Sequence, residues 1–368
     1  MEQTADTNPF TPIFGHIPPF MAGREHLLED FEKALGGPIT NPNLSSIFVG
    51  ARGTGKTALL TYLSRSAEAA GWVTANVSAK PGMLSEILEQ ASVNGAHLLE
   101  ASPSRKLKSL SIGQLIGAEW ENASEDQGSW RLRMSKLLDN LADSGAGLLI
   151  TIDEVNPNIE EMVELASTYQ HFVREERRVA LLLAGLPSKV SSLVSSDSVS
   201  FLRRSRIHRL GRISRTETKV ALQTTLSESG RILEGPALEV ALETTDGFPY
   251  LLQLVGFYLW EGSEAGKHIS ENSSQQAADR AKADFTHSVL EATYRELSDG
   301  DLAFLAAMLE DEGPTSLKAI TERIGKSPSS TRVYKGRMLE QGIIEEERRG
   351  EVRFALPLFK EYLQEKRL

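Results

Sequence analysis

The sequence predicts an α/β fold: a parallel sheet with flanking helices, then an all-helical segment, then a small terminal helix-turn-helix with a hairpin. Three stretches carry that expectation. Ser46 to Leu60 reads as a short apolar strand, a glycine-rich turn and the start of a helix. Gly147 to Glu154 is an unbroken apolar run closed by two acids, the pattern of a strand buried on both faces of a parallel sheet. From Ser214 onward the apolar spacing is helical, and after Ser298 it runs helix, short helix, helix, then two short strands around Arg348-Arg349-Gly350.

The first stretch carries chemistry. Gly50-Ala51-Arg52-Gly53-Thr54-Gly55-Lys56-Thr57-Ala58 fits the phosphate-binding loop, in which glycine, four residues, glycine, lysine and a hydroxyl residue follow a strand and open a helix. Gly50, Gly53 and Gly55 let the backbone bring its N–H groups close to phosphate oxygens. Lys56 is placed to reach the β- and γ-phosphates and Thr57 to ligate Mg²⁺, with the helix N-terminus favouring the anion. The motif implies a bound nucleoside triphosphate.

Asp153 and Glu154 lie about a hundred residues downstream, at the C-terminal end of a buried strand, where ligands bind in such sheets. Asp153 is expected to hold the metal and Glu154 to polarise an attacking water. That pair favours hydrolysis over binding alone.

Composition narrows the remaining classes. The chain has 368 residues, 40% hydrophobic content, no cysteine and a net charge of −10. Without cysteine there is no disulfide framework and no thiol ligand or nucleophile. No apolar run reaches the roughly 18 residues a membrane span needs, and the N-terminus shows no secretory signal, so cytoplasm is expected. The acidic balance argues against a chain coated in nucleic acid, while leaving room for a local basic face.

Taken in order, the proline-rich residues 1–19 are expected to run extended over the surface, and His26 to Leu35 to form an amphipathic helix. Helix is expected over Ala58 to Ala70, ended by Gly71, with a strand over Trp72 to Val77 and a helix over Met83 to Ala91. Leu107 to Trp120 alternates by two and predicts an inserted strand or hairpin, and Trp130 to Ala142 returns to helix. Asn158 to Arg178 reads as a long helix and Val179 to Pro187 as another buried strand. Phe201 to Arg212 concentrates arginines and reads as a basic loop, with His208 at its surface. Helices are expected over Thr216 to Leu226, Gly235 to Thr244 and Tyr250 to Trp260. Gly247-Phe248-Pro249 sets a rigid turn before the last of these. That turn is either purely structural or places Pro249 and Tyr250 against the nucleotide base or ribose. His268 to Leu297 is helical, preceded by a flexible serine-rich piece.

The terminal block predicts a winged helix-turn-helix, with Ser298 and Ser327 capping helices and Gly325 ending one. Its third helix and hairpin tip present Arg332, Lys335, Arg337, Arg348 and Arg349, suited to duplex DNA phosphates. Glu345, Glu346, Glu347 and Glu351 flank the wing, so a protein-docking or dimerising role stands beside DNA contact.

The order of these motifs resembles bacterial, actinobacterial-type AAA+ ATP-binding proteins, related to archaeal replication-initiator and STAND-type signalling ATPases. The resemblance rests on Asn8-Pro9-Phe10-Thr11-Pro12, Gly23-Arg24, the loop to Thr57, Asp153-Glu154, the Ala-Gly-Leu-Pro strand end, Gly247-Phe248-Pro249 and the terminal winged helix. It implies an AAA+-like P-loop core over 1–212, a helical lid over 213–297 and the winged helix over 298–368. It implies that Gly23 and Arg24 lie near the adenine, and that Arg203 or Arg204 enters a neighbouring subunit's site as an arginine finger; a solvated basic loop is the other reading. Ala184-Gly185 stands where many relatives carry a polar γ-phosphate sensor, so hydrolysis is expected to be weak. The implied function is a slow Mg-ATP switch that contacts DNA, or a signalling adaptor that assembles through its winged helix.

Overall fold

The computed structural model describes residues 7–13, 15–99 and 127–366. The ribbon expected over 107–120 lies outside them. Five parallel strands form the central sheet: β1 (Ser45–Val49), β2 (Val73–Ser78), β3 (Leu148–Asp153), β4 (Val179–Gly185) and β5 (Arg206–Arg209), in spatial order β2-β3-β4-β1-β5. Alternation along the strands divides the apolar side chains between two layers. Ile47, Val49, Ile150, Ile152, Leu181 and Leu183 face α3 (Met83–Leu99), α4 (Gln127–Asp143) and α5 (Glu160–Arg174). Phe48, Leu149, Ala180, Leu182 and Ala184 face α1 (Glu25–Leu35) and α2 (Lys56–Ala69). Both faces are covered, which is why the central strands read as continuous apolar runs.

β5 departs from the sequence expectation. Arg-Ile-His-Arg pairs in parallel with β1 from Ser46↔Arg206 to Val49↔Arg209, where the sequence suggested a loop. An edge strand buries little, so four residues with three polar side chains carry no apolar signature. His208, expected at the surface, is half-buried and stacks on Phe48 with ring centroids 5.3 Å apart. After β4 come α6 (Pro187–Ser195) and a 3₁₀ segment, Asp197–Arg204.

The helical segment comprises α7 (Arg215–Glu228), α8 (Gly235–Thr245), α9 (Pro249–Glu261) and α10 (Glu271–Phe285). The serine-rich piece expected to be flexible is the first half of α10: Ser270 caps it, and Ser274 donates to the Ala237 carbonyl at 2.7 Å. A π turn (Thr286–Leu290) and the short α11 (Glu291–Arg295) follow. The terminal unit contains α12 (Asp299–Leu309), α13 (Leu317–Ile324) and α14 (Pro328–Glu340). A three-stranded antiparallel sheet completes it, ordered β6 (Thr315–Ser316), β8 (Glu351–Phe354), β7 (Ile344–Arg348), with a last helix, α15 (Phe359–Glu365). Ser298 closes a capping box on α12 and Ser327 caps α14, as their sequence positions suggest. Leu251, Phe285, Leu290, Phe304, Ile320 and Phe359 belong to one apolar cluster, which therefore runs from α9 to α15 across residue 297. At the N-terminus, Phe10 is buried against α9, with Asn8 Nδ2 donating to the Phe257 carbonyl and Thr11 N to Gln253 Oε1.

Candidate functional site

The loop between β1 and α2 sits over the C-terminal edge of the sheet. Gly50 N donates to the Gly185 carbonyl at 3.3 Å, tying the loop to β4, and Thr54 Oγ1 closes the turn on the Ala51 carbonyl at 2.9 Å. Gly53 has φ +77°, and a Cβ there would lie 2.6 Å from the Phe248 ring. Glycine is required twice over, by conformation and by contact.

Lys56 and Thr57 open α2. Lys56 Nζ donates to the carbonyls of Gly50 at 2.9 Å and Ala51 at 2.7 Å, so its charge is folded back onto its own loop. Burial pushes its pKa down to about 8, while Asp153 and Glu154 pull in the opposite direction. Thr57 Oγ1 donates to Asp153 Oδ2 at 2.5 Å, joining the helix start to the end of β3. Asp153 Oδ1 accepts from the Glu154 amide at 2.8 Å. Glu154 holds φ 55°, an uncommon value for a non-glycine residue, and its side chain is exposed beside the loop. Strain of this kind collects at ligand sites.

One hydroxyl and neighbouring carboxylates make a hard-oxygen donor set. Among the described residues no group of three or more His, Cys, Asp or Glu could hold a metal alone. The donor set fits Mg²⁺, which takes one or two carboxylates plus phosphate oxygens and keeps water.

The helical segment meets the same loop. Gly247 O accepts from Ile213 N at 2.7 Å, which turns the chain so that Phe248 covers Gly53. The Cβ atoms of Tyr250 and Pro249 lie 3.6 and 3.9 Å from positions that Cβ atoms on Gly53 and Gly55 would take. Gly23 and Arg24 are held nearby rather than on the loop. Arg24 Nη2 donates to the Gly211 carbonyl at 3.0 Å, and Gly23 packs against Ile213 and Glu217.

Two contacts could not be read from sequence. Gly342, after α14, approaches so closely that a Cβ there would lie 2.5 Å from the Ala51 Cβ. Arg52 Nη1 pairs with Glu296 Oε2 at 3.2 Å, a half-exposed pair worth under about 1 kcal/mol. Partners 244 residues away or more leave no local signal.

The expected basic residues divide. Arg203 and Arg204 are both exposed, and Arg203 donates to the carbonyls of Val194 and Ser195 at 2.9 and 3.2 Å. Lys335 pairs with Glu346 at 2.8 Å and Arg337 with buried Asp301 at 2.7 Å. Arg332, Arg348 and Arg349 are exposed and in no ion pair among the described residues. α14 packs against α6 of the sheet unit.

Residues 287–363 match a family model described as "Domain of unknown function (DUF8462)". No curated protein matches the chain. Solved structures similar to it include the Aeropyrum pernix ORC2 protein in ADPNP-ADP complexes, at 17% identity and TM-score 0.64, covering 96% of this chain and 95% of that one. A Walker-type ATPase of Pyrococcus abyssi, paby2304, matches at 14% identity and TM-score 0.64, covering 94% and 96%. At such identities the likeness is one of fold. The chain has the α/β P-loop NTPase fold that the sequence predicts.

Proposed function

We propose that the chain is an AAA+/STAND-like Mg-ATP switch with slow intrinsic hydrolysis. The observation that carries the proposal is the Thr57–Asp153 hydrogen bond, which brings the two expected metal-holding groups together beside Lys56 and Glu154. Lys56 leaves the Gly50 and Ala51 carbonyls and, with the amides of residues 50–57, binds the β- and γ-phosphates. Thr57 and Asp153 are the residues that would hold Mg²⁺, whose charge offsets that of the phosphate oxygens. Glu154 would orient a water and accept its proton as the oxygen attacks the γ-phosphorus and the bond from that phosphorus to the β–γ bridging oxygen breaks, leaving ADP and phosphate. Pro249 and Tyr250 border the base or ribose, and Gly23-Arg24 support that side through residues 211–213. Arg204, exposed, is a better candidate finger than Arg203, whose guanidinium already serves two carbonyls.

The output is assigned to the unit from Ser298 onward, read as a winged helix beyond a sheet unit (1–212) and a lid (213–297). Ala51–Gly342 gives it a direct line to the loop, and Arg52–Glu296 ties the loop to the end of the lid just before it. DNA contact falls to Arg332, Arg348 and Arg349, since Lys335 and Arg337 are held in ion pairs. A second reading, a signalling switch whose winged helix docks on protein, is favoured by the packing of α14 on α6. ATPase assays with and without duplex DNA, on wild type and Glu154→Gln, test the first reading. Affinity for duplex that falls with salt and weakens in the triple arginine-to-alanine variant supports it; no salt-sensitive binding in the presence of ATP removes DNA contact.

A further inference from the structure

The two edges of the parallel sheet are finished differently. On β2 three outward backbone groups are occupied by side chains of α3. Asn76 N donates to Gln90 Oε1 at 2.8 Å, Gln90 Nε2 donates to the Asn76 carbonyl at 3.0 Å, and Asn94 Nδ2 to the Thr74 carbonyl at 2.8 Å. That edge is closed to any further strand.

Among the described residues β5 has no such cover. Leu210 N donates to the Val49 carbonyl at 2.7 Å, so His208 and Leu210 turn their backbone groups toward β1. In a parallel pair alternate residues bond to the neighbour, which leaves the N–H and C=O of Ile207 and Arg209 facing outward. Neither residue has a hydrogen-bond partner on that side among the described residues. The Ile207 side chain is 44% exposed. Arg209 and nearby Arg204 are exposed and outside any ion pair among the described residues, while Arg206 is drawn to Asn43 and Asp30.

We propose that the outer edge of β5 is a strand-addition site for an extended acidic segment of a partner protein. Two outward N–H groups and two carbonyls supply main-chain pairing, Ile207 offers one apolar contact, and the arginines select carboxylates. The same arginines disfavour the alternative occupant, a second copy of this edge, because like charges directly across a strand pair are destabilising. The contrast with the sealed β2 edge is what singles β5 out.

The test uses the full chain and a fluorescein-labelled hexapeptide of alternating glutamate and valine. Wild type binds it, and amide exchange at Ile207 and Arg209 slows on binding, whereas His208 and Leu210 are protected already. Methylating alternate peptide amides weakens binding about tenfold or more. Ile207→Pro does the same: it deletes an outward donor while sparing the bonds to β1. Arg209→Glu weakens the acidic peptide and strengthens its lysine–valine counterpart. Should the proline variant not fold, the methylated peptide and Arg209→Glu carry the test. The proposal is overturned if wild type does not bind the acidic peptide, or binds the methylated one equally well. It also falls if Ile207→Pro abolishes self-association of the chain in light scattering. Duplex DNA binding that Arg209→Glu removes and Ile207→Pro leaves intact would assign the edge to phosphate instead.

Discussion

Nucleotide binding should draw a proton onto Lys56. Its pKa is pushed down to about 8 because burial of the ammonium, aided by nearby Arg52, outweighs the opposing pull of Asp153 and Glu154. At about pH 8.5 the free protein therefore carries this proton on about a quarter of molecules. A triphosphate beside Nζ favours the charged form and returns the group to full protonation. The expected uptake is about three-quarters of a proton per nucleotide at about pH 8.5, and about a tenth at about pH 7. At the higher pH the phosphates are already fully ionised, with a second pKa near about 6, and contribute nothing. Calorimetric titration with MgATP in buffers of different ionisation enthalpy measures the uptake as a slope. Lys56→Arg, charged throughout, should give none. A zero slope for wild type at the higher pH, or the same slope in Lys56→Arg, refutes the reasoning. The same shift fixes a stability trend. The folded-state pKa of about 8 lies below the ordinary 10.5, so across that window the unfolded chain binds more protons and apo-protein stability rises with pH. Below it the buried charge costs at most about 3 kcal/mol, and Lys56→Met should recover part of that in denaturant unfolding while losing nucleotide binding.

Other substitutions probe the surrounding packing. Gly53→Ala must hold φ +77° and push a Cβ into the Phe248 ring, so it should cost about 1–3 kcal/mol in unfolding and lower nucleotide affinity. Phe10→Ala opens a void against Gly256 and should destabilise by up to about 3 kcal/mol. Gly256→Ala, whose Cβ would lie 2.2 Å from the Phe10 ring, should be far milder in that background than alone, a non-additivity visible in a double-mutant cycle. Arg337→Ala strands Asp301, whose side chain is 4% exposed, but Ser298 still bonds that carboxylate. A loss of about 1–2 kcal/mol in thermal unfolding is expected, with no change in DNA affinity beyond it.

The loop and the acidic pair were legible because their chemistry is written in contiguous residues. Gly50 to Thr57 needs its glycines and lysine in fixed order, and Gly147 to Glu154 shows both a buried strand and its acidic C-terminal end. β5 was not legible because an edge strand held by backbone bonds to β1 needs almost no apolar side chains. α10 was mistaken at its start because serines and asparagine look like linker until Ser270 is seen capping and Ser274 reaching the Ala237 carbonyl. Lys335 and Arg337 looked available for phosphate because Glu346 and Asp301, which hold them, become neighbours only on folding. The contacts of Ala51 with Gly342 and Arg52 with Glu296 were invisible for the same reason.

The central claim is that residues 50–57 with Asp153 and Glu154 form one Mg-ATP site. Direct titration of MgATP against wild type, Lys56→Ala and Glu154→Gln tests it. Saturable binding by wild type, lost in Lys56→Ala and kept without turnover in Glu154→Gln, is the predicted result. Absence of MgATP binding by the folded wild-type chain, or undiminished binding by Lys56→Ala, would contradict it.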